Sequence, residues 1–147
     1  EVGGAYSGDS YNNSLYLNPG QNNNRWIRLT LEGQQNNRSA IGTQIQVSFR
    51  ENGIKRVVYQ VVGSGGSFGS SALRREIGIG QATIIDEIRV TWGGGKSSHQ
   101  QVFNNVKPNQ FLKIREGSGQ LESVNVKKIN FDRNKGTIPV CVTPSVI

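Results

Sequence analysis

The stretch that decides the fold reads Thr43-Gln44-Ile45-Gln46-Val47-Ser48-Phe49-Arg50, then Glu51-Asn52-Gly53, then Ile54-Lys55-Arg56-Val57-Val58-Tyr59-Gln60-Val61-Val62. In its first part Ile45, Val47 and Phe49 alternate with Gln44, Gln46, Ser48 and Arg50. That period of two puts apolar groups on one face of a strand and polar groups on the other. Asn52 and Gly53 both tolerate positive φ, as a tight turn between antiparallel strands requires. The returning segment is therefore a second strand, and the whole is a β-hairpin. Ile54, Val57, Val58, Tyr59, Val61 and Val62 place apolar groups on both faces of that strand, which predicts a central strand covered on each side.

The same reading extends in both directions. Upstream, Ile27, Leu29 and Leu31 alternate with Arg28 and Thr30 after Trp26, and the pattern stops at Gly33. Downstream, Ile84, Ile88, Val90 and Trp92 are expected on one strand face opposite Ile85, Glu87, Arg89 and Thr91. Residues 99–103 and 110–116 read as two short strands around the turn Val106-Lys107-Pro108-Asn109. Residues 72–80 fit one helical turn or an irregular strand, residues 121–129 a further strand, and Leu15-Tyr16-Leu17 an edge strand in a loop-rich lead-in. Seven to nine short strands, turn signals every eight to twelve residues or so, and no amphipathic helix predict an all-β fold, an antiparallel β-sandwich or barrel-like sheet.

Composition agrees. The 147 residues suit one core, and 15 Asn, 11 Gln and 19 Gly favour turns over helix. Lys and Arg total 17 against 10 Asp and Glu, but the basic residues are scattered, with only Lys127, Lys128, Arg133 and Lys135 loosely grouped. That is a solvated surface rather than a nucleic-acid footprint, so no nucleic acid is expected as a partner. The absence of a long apolar run predicts no membrane insertion. With one cysteine, Cys141, and one histidine, His99, no internal disulfide or cysteine-rich metal site can be assembled and most zinc arrangements are excluded; Cys141 is either free or paired outside the sequence. The lack of Met, with no leader at Glu1, is expected of a piece of a larger exported protein.

Catalytic constellations fail one by one. The Gly/Ser-rich residues 63–71 lack the Gly-Lys-Ser/Thr ending and the following helix of a phosphate-binding loop. A serine nucleophile at Ser67, Ser70 or Ser71 would need His99 as base and Asp86 or Asp132 as orienter, yet His99 sits among Ser97, Ser98, Gln100 and Gln101 and reads as a solvated turn residue. Asp86 and Glu87 are adjacent on a strand and point to opposite faces, so they cannot flank one glycosidic bond. No calcium loop occurs around Asp9. No cofactor, metal or catalytic residue is predicted. Asp86 falls on the apolar parity of its strand and so needs a cationic partner; Arg74, Arg75 or Arg56 is expected to supply it and staple the Gly/Ser loop to the sheet, with Arg38 in a similar role. Asn12 and Asn37 lie in Asn-x-Ser sequons, which matter only in a eukaryotic secreted host.

Several motifs fall in order: Trp26-Ile27-Arg28-Leu29, Asn37-Arg38-Ser39-Ala40-Ile41-Gly42, the loop from Gly63 to Ser71, Ile77-Gly78-Ile79-Gly80, Val90-Thr91-Trp92 and Asn109-Gln110. As a set they resemble the ASPIC/UnbV module found at the C-terminal end of integrin-like proteins with FG-GAP or VCBS β-propeller repeats. The resemblance covers residues 24–117. Residues 1–23 resemble the end of a preceding repeat, and residues 118–147 form a C-terminal extension on or beside the module. The chain departs from the family's His-Phe-Gly-Leu-Gly-like element at Glu76, Ile77 and Ile79, and Gly93 rather than Pro follows Trp92. The resemblance implies a non-catalytic structural, adhesion or interaction module, secreted or at the cell surface, or periplasmic in a Gram-negative host. Its expected partners are the upstream propeller repeats of the same chain, a glycan or another extracellular protein, contacted through Ser67, Phe68, Ser70, Ser71 and Arg74. The alternatives are a carbohydrate-binding module using aromatics such as Tyr6, Tyr11, Tyr16 and Tyr59 and, behind it, a hydrolase fragment.

Overall fold

A computed structural model of the chain describes residues 21–65, 69–93 and 98–127. Its strands are β1 (Arg25–Glu32), β2 (Gln44–Glu51), β3 (Ile54–Val61), β4 (Arg75–Gly80), β5 (Ile85–Trp92), β6 (His99–Val106), β7 (Gln110–Arg115) and β8 (Leu121–Ser123). They form two four-stranded sheets, ordered β4-β1-β7-β8 and β3-β2-β5-β6. The alternating apolar residues explain why the sheets face each other. Ile27 and Leu29 of β1, Ile77 and Ile79 of β4 and Ile114 of β7 meet Ile45 and Val47 of β2 and Ile88, Val90 and Trp92 of β5 in one core. The all-β sandwich expected from the sequence is the fold observed, with two open sheets rather than a barrel.

The Asn-Gly hairpin forms as expected. Glu51 pairs with Ile54, and Asn52 (φ 51°) and Gly53 (φ 79°) take the left-handed conformations of a primed turn. Strand β1 is less expected, because it runs antiparallel to β4 but parallel to β7. Alternation encodes which face a residue takes, not which way its neighbour runs, so this pairing leaves no trace in the pattern.

Four expectations need correction. β3 is an edge strand, not a central one: β2 is its neighbour on one side, and Ile54, Tyr59 and Val61 are 61%, 70% and 56% exposed. In β5, Ile85 is buried and Ile84 exposed, the reverse of ideal alternation. Across β2, Ser48 pairs with Glu87 and Phe49 with Ile85, which leaves Asp86 as the extra residue of a β-bulge. That one residue flips the parity, so Ile85 and Ile88, three apart, both point inward. Finally, residues 75–80 are a regular strand without a helical turn, and of the strand expected over 121–129 the described residues form only Leu121–Ser123. The island Leu15-Tyr16-Leu17, the sequon residue Asn12 and the extension from residue 128 lie outside the described residues.

Candidate functional site

The Gly/Ser loop was the expected contact surface. Ser67 and Phe68 lie outside the described residues. Ser70 and Ser71 are exposed, but the Ser71 hydroxyl donates to the Gly65 carbonyl at 2.8 Å and its backbone N–H to the Ser64 carbonyl at 3.2 Å, closing the loop on itself. Arg75 donates to the Gly63 carbonyl, and Arg74 pairs with Glu76 at 3.2 Å. The expected staple between Asp86 and these arginines does not form. The bulge turns Asp86 off the core face toward Arg50, 4.0 Å away, while Arg56 holds Glu51 at 2.8 Å and Arg38 lies 3.6 Å from Glu32.

The structure assembles instead a buried polar group that sequence reasoning missed. Glu116 follows β7 and is 2% exposed. Its Oε2 accepts the successive backbone N–H groups of Gln34, Gln35 and Asn36 at 2.6, 2.8 and 2.9 Å, and Oε1 accepts the Asn36 side-chain amide. Burial pushes the Glu116 carboxyl up, but the hydrogen bonds from Asn36, Gln34 and Gln35 outweigh it and hold the group below the ordinary carboxylate range. The loop is shaped for this. Gly33 turns it where a side chain would run into the Asn37 carbonyl, and the Asn37 amide clips both the N–H and the C=O of Ile41 at 2.8 Å. An acid just after an apolar strand looks the same in sequence whether solvated or buried, so no local signal marks Glu116.

His99 joins this group rather than a solvated turn. It opens β6, stacks on Trp92 with ring centroids 6.3 Å apart, and brings Nε2 within 3.5 Å of Glu116 Oε1. The fully buried Trp92 donates its indole N–H to Gln101 Oε1, which also accepts the Gly117 N–H at 3.1 Å, while Gln101 Nε2 donates to the Ser118 carbonyl. These contacts tie β6 of one sheet to the β7–β8 turn of the other. The imidazole therefore faces a carboxylate saturated with donors. Among the described residues, no serine, threonine or lysine side chain is hydrogen-bonded to either group.

Among the described residues the other carboxylates are likewise engaged. Glu32 binds Lys113, Arg115 and Arg38, and the Lys113 bond holds its carboxyl below the ordinary range. Glu76 binds Arg28 and Arg74, Glu87 binds Arg89, and Glu122 binds Arg115. Among these residues there is no group of three or more His, Cys, Asp or Glu placed to hold a metal.

Among the described residues, two exposed surfaces combine aromatic or apolar side chains. On the outer face of β3, Val57, Tyr59 and Val61 form an exposed apolar row beside Ser48, Gln46 and Gln44 of β2. On the outer face of the other sheet, Trp26 packs edge-on against Phe111 at 4.9 Å, Arg28 lies over the Phe111 ring at 4.5 Å and pairs with Glu76 at 2.6 Å. Together with Gly78 these side chains line a shallow cavity of about 300 Å³. Of the tyrosines considered as sugar-stacking groups, Tyr59 is exposed on β3, and Tyr6, Tyr11 and Tyr16 lie outside the described residues.

No curated protein and no solved structure gives a match to this chain. A family model does: the one described as ASPIC and UnbV matches residues 33–121, more than half of the chain, from the Glu116-binding loop through β2 to β7 to the first residue of β8, with β1 preceding the match. On that match, and in keeping with the ordered motifs of its sequence, the chain belongs to the ASPIC and UnbV family.

Proposed function

We propose that this domain is a non-catalytic module of a larger secreted or surface-exposed repeat protein, and that it docks against the neighbouring β-propeller repeats through the open edge of β3. The observation that carries this reading is the edge itself. Val62 gives its N–H to the Thr43 carbonyl and its C=O to the Gly42 N–H, both at 2.9 Å. By the alternation of an extended chain, Lys55, Val57, Tyr59 and Val61 turn their backbone groups away from β2. The same residues carry the exposed apolar row. From Val57 to Val61 this edge holds no charge, no proline and no bulge, the devices by which a solvated edge is usually blunted. A neighbouring extended strand would satisfy the backbone and cover Val57, Tyr59 and Val61 in one step. The engagement of each described carboxylate by cations or N–H groups supports a role without acid–base chemistry.

The test is hydrogen exchange in the longer natural protein and in this chain alone, with Tyr59→Lys in both. Slow exchange at Val57, Tyr59 and Val61 in the longer protein, made fast by the substitution, is expected. Equal exchange of those amides with and without the neighbouring repeats would rule the docking out.

A further inference from the structure

On the sheet opposite to β3, and independently of that docking reading, we propose that the notch over Gly78 binds one neutral pyranose unit of a glycan, stacked on Trp26. The notch is made by two cross-strand rows. Trp26 of β1 pairs with Gly78 of β4, and Arg28 of β1 pairs with Glu76 of β4 on one side and Phe111 of β7 on the other. The indole thus has Phe111 on its β7 side and Gly78 on its β4 side. An aromatic opposite a strand glycine commonly folds over it to cover the bare backbone. Here it does not: the position of a Gly78 Cβ has no atom within 4 Å. Trp26 is 36% exposed, beside the open space over Gly78.

The chemistry of the walls selects the ligand. An indole face and a bare peptide floor attract the C–H face of a saturated ring, which shields apolar surface without needing hydrogen bonds there. The Arg28–Glu76 pair at the side offers N–H donors and carboxylate acceptors, which suits hydroxyl groups that both give and take hydrogen bonds. Arg74 also reaches Glu76, at 3.2 Å, but from outside the notch; the residues that line it carry one cation and one carboxylate, 2.6 Å apart, and so no net charge to recruit a phosphate or a uronate. A cavity of about 300 Å³ is at the small end of ligand pockets, with room for a single ring and an open mouth for the rest of a chain.

The test uses this chain with a panel of neutral and acidic oligosaccharides on an array, followed by calorimetric titration of the best neutral binder at two salt concentrations. Gly78→Val sets a branched side chain in the notch from a Cβ position with no protein atom within 4 Å and suits a strand, so it is expected to keep the fold while obstructing the site; Trp26→Ala removes the platform. Saturable binding of a neutral saccharide, unchanged by salt and weakened at least tenfold by either substitution, is the expected result. No neutral binder at millimolar concentration, binding of acidic saccharides only and lost in salt, or binding indifferent to Gly78→Val would each overturn the proposal.

Discussion

Glu116 and Asn36 lie 80 positions apart in the chain, and the carboxylate of the first accepts the backbone N–H of the second at 2.9 Å, next to those of Gln34 and Gln35. One side chain thereby replaces the partners that a strand would have given three successive amides. Truncating it removes the shared charged acceptor of three N–H groups on a partly exposed loop, and a hydrogen bond to a charged group contributes about 1.5–3 kcal/mol. Glu116→Ala is therefore expected to lower unfolding free energy by about 3 kcal/mol or more, measured by urea denaturation. Glu116→Gln keeps one oxygen for the loop and should lose less.

The same group sets an acid limit. Its carboxyl titrates lower in the folded protein than in the unfolded chain, so its contribution is complete above the unfolded value of about 4.3. The contribution fades as pH falls through that value to the lower folded one. The stability difference between the natural protein and Glu116→Gln should be constant near neutrality and shrink below about pH 4. A difference that grew on acidification would contradict the assigned hydrogen bonds.

Gly33 is required by contact rather than by φ. A methyl group there would run into the Asn37 carbonyl, a backbone atom that cannot swing aside because the Ala40 N–H is bonded to it at 2.8 Å. Gly33→Ala should displace the loop and cost about 2 kcal/mol, within the range of overpacking substitutions. In amide spectra its shifts should centre on residues 33–41 and reach Glu116.

Gln101→Leu should leave the Trp92 indole N–H without its acceptor inside the core and release the turn at Gly117 and Ser118. A loss of about 2 kcal/mol is expected. Near-ultraviolet circular dichroism of Trp92 should change at the same time. A silent spectrum would mean that the indole is held by packing alone.

Gly53 and Gly78 separate conformation from space. Neither has an atom near the site of a Cβ, but Gly53 has φ +79° and Gly78 is an ordinary strand residue. Gly53→Ala should cost about 1 kcal/mol, whereas Gly78→Ala should stabilise by about 0.5 kcal/mol by restricting the unfolded chain. Thermal melts of the two variants should move in opposite directions.

The sequence by itself determined the hairpin at Asn52-Gly53, the inward set Ile45, Val47 and Phe49, the all-β class and, through its ordered motifs, the family. These depend on local rules: a period of two and a turn that needs positive φ. The tertiary structure decided what those rules do not carry. Whether β3 is central or an edge depends on how many strands lie beside it, and residues apolar on both parities fit either. The bulge at Asp86 inserts one residue and reverses the parity of everything before it, which moved that carboxylate from the core to Arg50. The parallel pairing of β1 with β7 then brings the end of β7 to the end of β1, where the Glu116 N–H reaches the Glu32 carbonyl at 2.9 Å. That places the carboxylate over the loop beginning at Gly33. A contact between residues 80 apart is set by strand order and direction, and neither is written in the spacing of side chains.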